Sequence, residues 1–366
     1  MSISLRPQDV ADLVLGTLAN LGTGRFTVLA EKFRQCLVVD TFFDRAEMQS
    51  GGNGWQRQVM TRFSTAARHS SPYAVDNLQR QNVMDKITGN WVHFDSHMLF
   101  NYQEILVNQS GPEQIFNMIM TQRAAMMGNI TEMLEKVAWQ APAAGNTLEP
   151  LGIPHWVVYN HGNTGFTGGA PSGYTTVAGL NPDTVPNGNW KNYSDTYTSV
   201  SRADLLKKTK KALTKLDWRD TVKVPNYSKG PPDLRIYTND QIAEDLGEIY
   251  ESGNDNLGTN LGGAAGTTTQ RESTLYKIDN LLTIRGRPVY NVPLFETSEY
   301  TGPANPLWLL DLAKFGIIGL KGDFFREGRV EPVPGQHNNY ACYLDTTYNF
   351  WCEERRRHAI IATAAS

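Results

Sequence analysis

The densest chemistry in the chain sits near its C-terminus, where Cys352, Glu353, Glu354, Arg355, Arg356, Arg357 and His358 follow one another. A thiol close to an imidazole is the composition of a cysteine nucleophile and its base. On a continuous strand, however, six residues separate Cys352 from His358 by ~20 Å on one face. Two carboxylates beside three arginines also offset much of the positive charge, which weakens the run as a phosphate-binding patch. Cys342 and Cys352 flank Thr347 symmetrically, so a hairpin centred there sets two buried structural thiols opposite each other. The expectation is a closing strand. Phe350, Cys352 and Ile360 pack inward beneath the long helix described below, and Glu and Arg side chains alternate outward.

Three other groupings have residue types that could do chemistry. In "HFDSH", His93, Asp95 and His97 alternate and share one strand face, a donor set suited to Zn or Fe. The same alternation describes a plain polar strand face, and no H-E-x-x-H motif accompanies it. The segment "GNDNLGTNLGGAAG" is rich in glycine but lacks the Lys-Ser/Thr of a P-loop and reads as a loop. Lys207, Lys208, Lys210, Lys211 and Lys215 form a basic helix face opposite Leu205, Thr209, Ala212, Leu213 and Leu216. Such a face suits phosphates, but a solvated lysine surface has the same pattern. G-x-S-x-G and C-x-x-C are absent, so no assembled active site and no cofactor are expected.

Composition excludes several classes. The formal net charge of −3 gives no global field for nucleic acid. Three cysteines in 366 residues argue against a disulfide framework and for a reducing compartment. No basic-then-apolar leader opens the chain, and no apolar run approaches the ~20 residues of a membrane span. Abundant Gly, Pro and aromatics point to long loops and β structure.

The elements that would position these residues follow from periodicity. A helix over 6–21 places Val10, Leu13, Val14, Leu18 and Leu21 on one side. A second short element ends near Arg45. Alternation around Val59–Phe63 and Trp91–Met98, with a polar segment between, predicts a long hairpin over 49–100 without a core of its own. "SGPEQIFNMIMTQRAAMMGNITEMLEKVAWQAP" opens with a Ser110–Glu113 capping box and predicts a helix over 110–141. Its buried stripe is expected to be Ile115, Met118, Ile119, Met126, Ile130, Met133 and Val137. Residues 143–200 are loop-rich. A helix capped by Ser201, a strand at "DLRIYTND", a helix at "DQIAEDLGEIYESG" and closing strands complete an α+β chain without internal repeats.

In this order the elements resemble the major capsid proteins of tailed double-stranded-DNA bacteriophages, which have the HK97-like fold. The 49–100 hairpin is similar to that family's E-loop, and 110–141 to its spine helix. "LGIPHWVVYN", "GGAPSGYTTVAGLNP" and "WKNYSDTYTSVSRADLLKKTKKAL" look like one branch of these proteins. "RGRPVYNVPLF" resembles a G-x-P-V segment, and "NNYACYLDTTYNFWCEERRRHAI" the final strand. The resemblance implies an N-terminal arm (1–48), an E-loop hairpin (49–100) and a peripheral domain (101–200) carrying the spine helix. It further implies an axial domain (201–335) and closing strands that return to the peripheral domain (336–366).

It implies a non-enzymatic structural protein of the virion, assembled in the host bacterial cytoplasm as pentamers and hexamers of an icosahedral head. The implied partners are further copies of the chain, a portal protein, a separate scaffolding protein or none, a decoration or cement protein, and packaged DNA held non-specifically. No membrane is implied. Trp55, Arg57, Arg62, Arg68, Trp91, His93, Arg355, Arg356 and Arg357 are the expected inter-subunit contacts. An encapsulin-like nanocompartment shell is the alternative close in fold, and a metal-dependent enzyme using His93, Asp95 and His97 is the alternative from another class.

Overall fold

The computed structural model describes residues 31–71, 75, 80–103, 112–218, 230–259, 275–278 and 281–363. The helix expected over 6–21 lies outside them. α1 (Leu37–Phe42) and β1 (Glu47–Gln49) precede a hairpin of β2 (Trp55–Met60) and β3 (Met84–Gly89). β4 (Val92–Asn101) leads to α2 (Pro112–Ala138), then α3 (Ile153–Trp156), β5 (Gly165–Gly168) and β6 (Asn192–Tyr197). α4 (Lys207–Leu216), β7 (Leu234–Thr238), α5 (Asp240–Thr259), β8 (Leu275–Ile278), β9 (Leu281–Ile284) and β10 (Arg287–Asn291) follow. The chain closes with β11 (Leu307–Asp311), β12 (Phe315–Leu320), β13 (Arg326–Glu327), β14 (Glu331–Pro332), β15 (Asn339–Cys352) and β16 (Ala359–Thr363). No helix among the described residues is long and apolar enough to cross a membrane.

A six-stranded sheet is organised around β15, which pairs antiparallel with β12, β4, β13 and β14. An eight-stranded sheet runs β5-β6-β16-β11-β7-β10-β9-β8. Period-two alternation lets the central strands of this second sheet serve two cores. Ile236, Leu309 and Ile361 face a core that holds Leu213 and Leu216 of α4 and Ile242 and Leu246 of α5. Tyr237, Trp308 and Ile360 face the other core, which holds Leu134 and Trp139 at the end of α2 and Phe350 and Cys352 of β15.

The hairpin forms, but with a different second strand. Trp55 faces Gly89 and Met60 faces Met84, whereas 92–101 leaves the hairpin and pairs with β15 from Asn101↔Asn339 to Val92↔Tyr348. The reason is burial. Val92, Phe94, Met98 and Phe100 alternate into a core, while β3 buries Ile87 alone. The hairpin base is also not coreless, since Trp55 is fully buried with its ring 6.0 Å from that of Trp156.

Residues 339–352 form one continuous strand instead of a hairpin turning at Thr347. Cys342 and Cys352 therefore lie ten residues apart on one strand, ~33 Å along it, and both are buried free thiols. Thr346 and Thr347 hydrogen-bond to the 323–325 segment in place of forming a turn, with Thr347 Oγ1 2.5 Å from Asp323 Oδ2.

α2 spans ~40 Å. Met126 and Ile130 are buried as expected, but after Ile130 the inward face runs through Leu134 and Ala138, so the stripe shifts there by a residue and Met133 stays exposed. The side chains of 112–120 are not described. Docking of α1 accounts for the rotation, because Glu135 Oε2 accepts the Val38 N–H (2.8 Å) at the start of α1. α5 continues to Thr259, so the first part of the glycine-rich segment is helical; residues 260–274 lie outside those described.

Candidate inter-subunit surfaces and the buried arginine turn

After Cys352 the chain leaves β15 through a 3₁₀ turn, Arg355–Arg357, and returns as β16 in the other sheet. The turn alters what the three arginines can do. Arg355 is fully buried, and no described carboxylate pairs with it. Its Nε donates to Trp156 O (2.6 Å), Nη1 to Trp190 O (2.6 Å), and Nη2 to Gly169 O (2.7 Å) and Asn192 Oδ1 (3.2 Å). One planar fork thus ties α3, the end of β5 and the start of β6 together. Burial pulls its pKa down to about 10.

Arg357 Nη1 lies 3.0 Å from Asp311 Oδ2, with both side chains fully buried. Its Nη2 donates to Trp218 O (3.1 Å) and Gly230 O (3.3 Å). Asp311 Oδ1 accepts the N–H groups of Asp233 (2.9 Å) and Ala313 (3.1 Å). Burial nevertheless raises the Asp311 pKa. His358 Nδ1 accepts the Asp311 N–H (3.1 Å), which leaves its proton on Nε2. Burial, with Arg357 and Arg355 nearby, pushes the His358 pKa down to about 3, so the ring stays neutral. Cys352 is buried and its thiol is raised by burial, the opposite of an activated nucleophile.

The expectation that Arg355 and Arg357 reach a neighbouring subunit is corrected by their complete burial. Arg356 alone of the three stays near the surface. It bonds Glu354 (2.6 Å) and Asn189 Oδ1 (3.3 Å), lies 4.1 Å from the Trp218 ring centroid, and lines a cleft of ≈720 Å³ beside the hairpin.

The hairpin candidates divide in the same way. Trp55 is buried within the chain, which removes it from the contact set. Arg57 lies 3.6 Å over the Trp351 ring and pairs with Glu47, so it too serves its own chain. Trp91 is half-buried and donates to Gly52 O (2.9 Å). Arg62 is 44% exposed near Asp85 (3.7 Å), and the exposed Arg68 donates to Val75 O (2.7 Å). Around them Met60, Phe63, Val75 and Met84 are exposed. His93, Asp95 and His97 do share the outer face of β4. His93 Nδ1 approaches Thr347 Oγ1 (3.0 Å), and His97 packs against Tyr343. Among the described residues, no group of three or more His, Cys, Asp or Glu side chains could hold a metal ion.

Asp311 and Glu135 were not singled out in the sequence. A lone carboxylate inside "LWLLDLAKF" was the available signal for Asp311, because so apolar a strand buries an acid only against a cation.

No family model matches the sequence, and no curated protein matches it either. Solved structures do. The cyanophage A-1(L) capsid asymmetric unit matches over 94% of this chain and 98% of its own, at TM-score 0.62 and 15% identity. This is the HK97-like phage capsid fold. The capsid of a native GTA particle shares it at TM-score 0.52 and 9% identity, over 94% of this chain and 96% of that one. The capsid of Myoviridae phage XM1 shares it at TM-score 0.51 and 9% identity, over 94% and 97%. Within the HK97-like fold the buried arginine turn is a structural joint between the two sheets, and the hairpin keeps Met60, Phe63 and Met84 exposed.

Proposed function

We propose that this chain is the major capsid protein of a tailed phage. Copies associate as pentamers and hexamers and close an icosahedral head around double-stranded DNA. The carrying observation is the likeness to a cyanophage capsid subunit that spans 94% of this chain and 98% of that one. Fold alone does not dictate function, and the surface chemistry supports the same reading. A hairpin that exposes Met60, Phe63, Val75 and Met84 has apolar area that a neighbour would bury. The buried cysteine, imidazole and two of the arginines of the closing turn are committed to structure, which supports a structural role for that turn. Arg62, Arg68, His93 and Arg356 are the remaining contact candidates at the surface. Phe33, Leu37, Val38 and Phe42 of the expected 1–48 arm pack into the core of their own chain, so that segment is not a clasp on a neighbour. Portal, scaffolding and decoration proteins and packaged DNA are the partners of the assembled head.

Electron microscopy and sedimentation velocity of the purified protein test this. Closed shells, or rings of five and six copies, are expected as concentration rises. Monomers under every assembly condition would overturn the reading. A shell that encloses a cargo enzyme and no DNA would assign the same fold to a nanocompartment.

A further inference from the structure

Two helices cover one face of the eight-stranded sheet, and their outward sides carry opposite charge. α4 packs on β6 and β16 and α5 on β10, so they occupy different halves of the sheet. Both bury their apolar stripes in one core, through Leu213 and Leu216 on α4 and Ile242 and Leu246 on α5. Their outer sides are therefore fixed.

On α4, Lys207, Lys211 and Lys215 recur every fourth residue and stand exposed. Lys210 is half-buried beside them. Burial first, then the nearby Arg285 and Arg202 guanidinium groups, lowers its pKa. Within α4, Lys208 has a carboxylate partner, Asp204 at 2.6 Å. The other four ammonium groups pair with no carboxylate among the described residues. Arg285 adds to this positive surface, with its Nη1 held by Lys210 O (3.2 Å) and Thr214 Oγ1 (2.6 Å).

On α5, Glu244 and Glu248 are exposed and Asp245 is half-buried. They form one wall of a cleft of ≈880 Å³ whose other side includes Arg34, Gln35 and β10. Arg34 is committed to Asp240. Glu244, Asp245 and Glu248 form no ion pair with a described residue.

Among the described residues each face lacks a counter-charge, and the two sit over different halves of one layer. A second copy placed alongside, with its α5 toward the first copy's α4, satisfies both. That contact joins unlike patches, so it is heterologous, and such contacts close into rings when the rotation between copies allows. We propose that the lysine face of α4 docks on the acidic wall of α5 in the next copy and orders subunits head to tail in a ring. The inference rests on the shell-subunit reading. DNA phosphates would satisfy the lysines but leave the α5 carboxylates without partners, so a second copy accounts for more of the surface.

Two variants test it: Lys207→Glu with Lys211→Glu, and Glu244→Lys with Glu248→Lys. All four side chains are exposed, so circular dichroism and thermal melting of the subunit should match the parent. Each variant alone presents like charges across the contact. Its assembled fraction in sedimentation velocity should fall about tenfold or more at low ionic strength. High salt should shrink the difference, because exposed charges are screened beyond ~10 Å at 0.1 M. An equimolar mixture of the two variants restores opposite charges at every contact of an alternating ring of six, but not of a ring of five, so hexameric rings should recover.

Folded variants that assemble alone like the parent, or a mixture that fails to recover, would overturn the contact. So would loss of DNA retention by the lysine variant alone with assembly intact, which would assign the face to phosphates. If the unaltered protein never assembles, the shell reading fails instead.

Discussion

The Arg357 guanidinium lies 3.0 Å from the Asp311 carboxylate, with both side chains fully buried, and this pair joins the turn after β15 to the end of β11. Removing one member of such a pair leaves the other charge buried without a counter-ion, which costs about 3–5 kcal/mol. Asp311→Asn and Arg357→Met should each lower unfolding free energy by about that much, measured by denaturant titration of the unassembled subunit. A double variant, Asp311→Asn with Arg357→Met, should cost less than the sum of the two. Strict additivity would show that the contact is not coupled.

Arg355 should tolerate even lysine poorly. Its guanidinium reaches Trp156 O, Trp190 O and Gly169 O from three different nitrogens, and one ammonium cannot span those positions. Each buried carbonyl left without a donor costs about 1–3 kcal/mol. Arg355→Lys should therefore yield insoluble or protease-sensitive subunits. In contrast, Arg356→Lys should stay soluble, because Arg356 lines an open cleft. Equal solubility and protease resistance of the two variants would contradict this.

Glu135 makes stability depend on pH. Its carboxylate accepts Val38 N–H (2.8 Å) and Trp139 Nε1–H (2.9 Å) where α1 docks on α2. Burial first of all raises its pKa from 4.5 to about 7. The folded state therefore holds a proton that the unfolded chain sheds above pH 4.5. Stability from this group is complete below that pH and is lost as pH rises through about 7, a total of about 3 kcal/mol. Comparing Glu135→Gln with the parent should show the parent losing stability relative to the variant between those values. Parallel pH profiles would rule out titration of Glu135. His155 and His358, both depressed by burial, act in the opposite sense below pH 6.5 in both proteins, so they cancel in the comparison.

The hairpin separates a packing role from an assembly role. A Cβ on Gly89 would stand 2.5 Å from the Trp55 ring, so Gly89→Ala should dislodge Trp55 and destabilise the subunit. Phe63 is 64% exposed, so Phe63→Ser should leave the subunit melting temperature within a degree or two while reducing assembly yield. Unchanged assembly by the second variant would remove Phe63 from the contact surface.

Periodicity alone located most of the described helices and the strand β7 of the second sheet, but β5 and β6 fall within 143–200, which reads as loop. The stripe of Leu205, Thr209, Ala212, Leu213 and Leu216 is buried as its spacing requires, because a period of 3.6 leaves one solution for an amphipathic helix. The local cap at Ser201, accepting Asp204 N–H (3.2 Å), was equally legible. Pairing was not. Val92–Asn101 and Met84–Gly89 both suit a strand after a turn, and only burial against β15 decides that the first leaves the hairpin.

The residues of the closing run were plain in the sequence, and their roles were decided by the tertiary structure. Alternation along a strand would put arginines at the surface, yet the Arg355–Arg357 turn rotates two of them into the interior. There the acceptors come from Trp156, Trp190, Gly169 and Asp311. A sequence determines local period and capping because those depend on neighbours within a few residues. A buried charge depends on partners 46 to 199 positions away, and only the folded chain brings those within 3 Å.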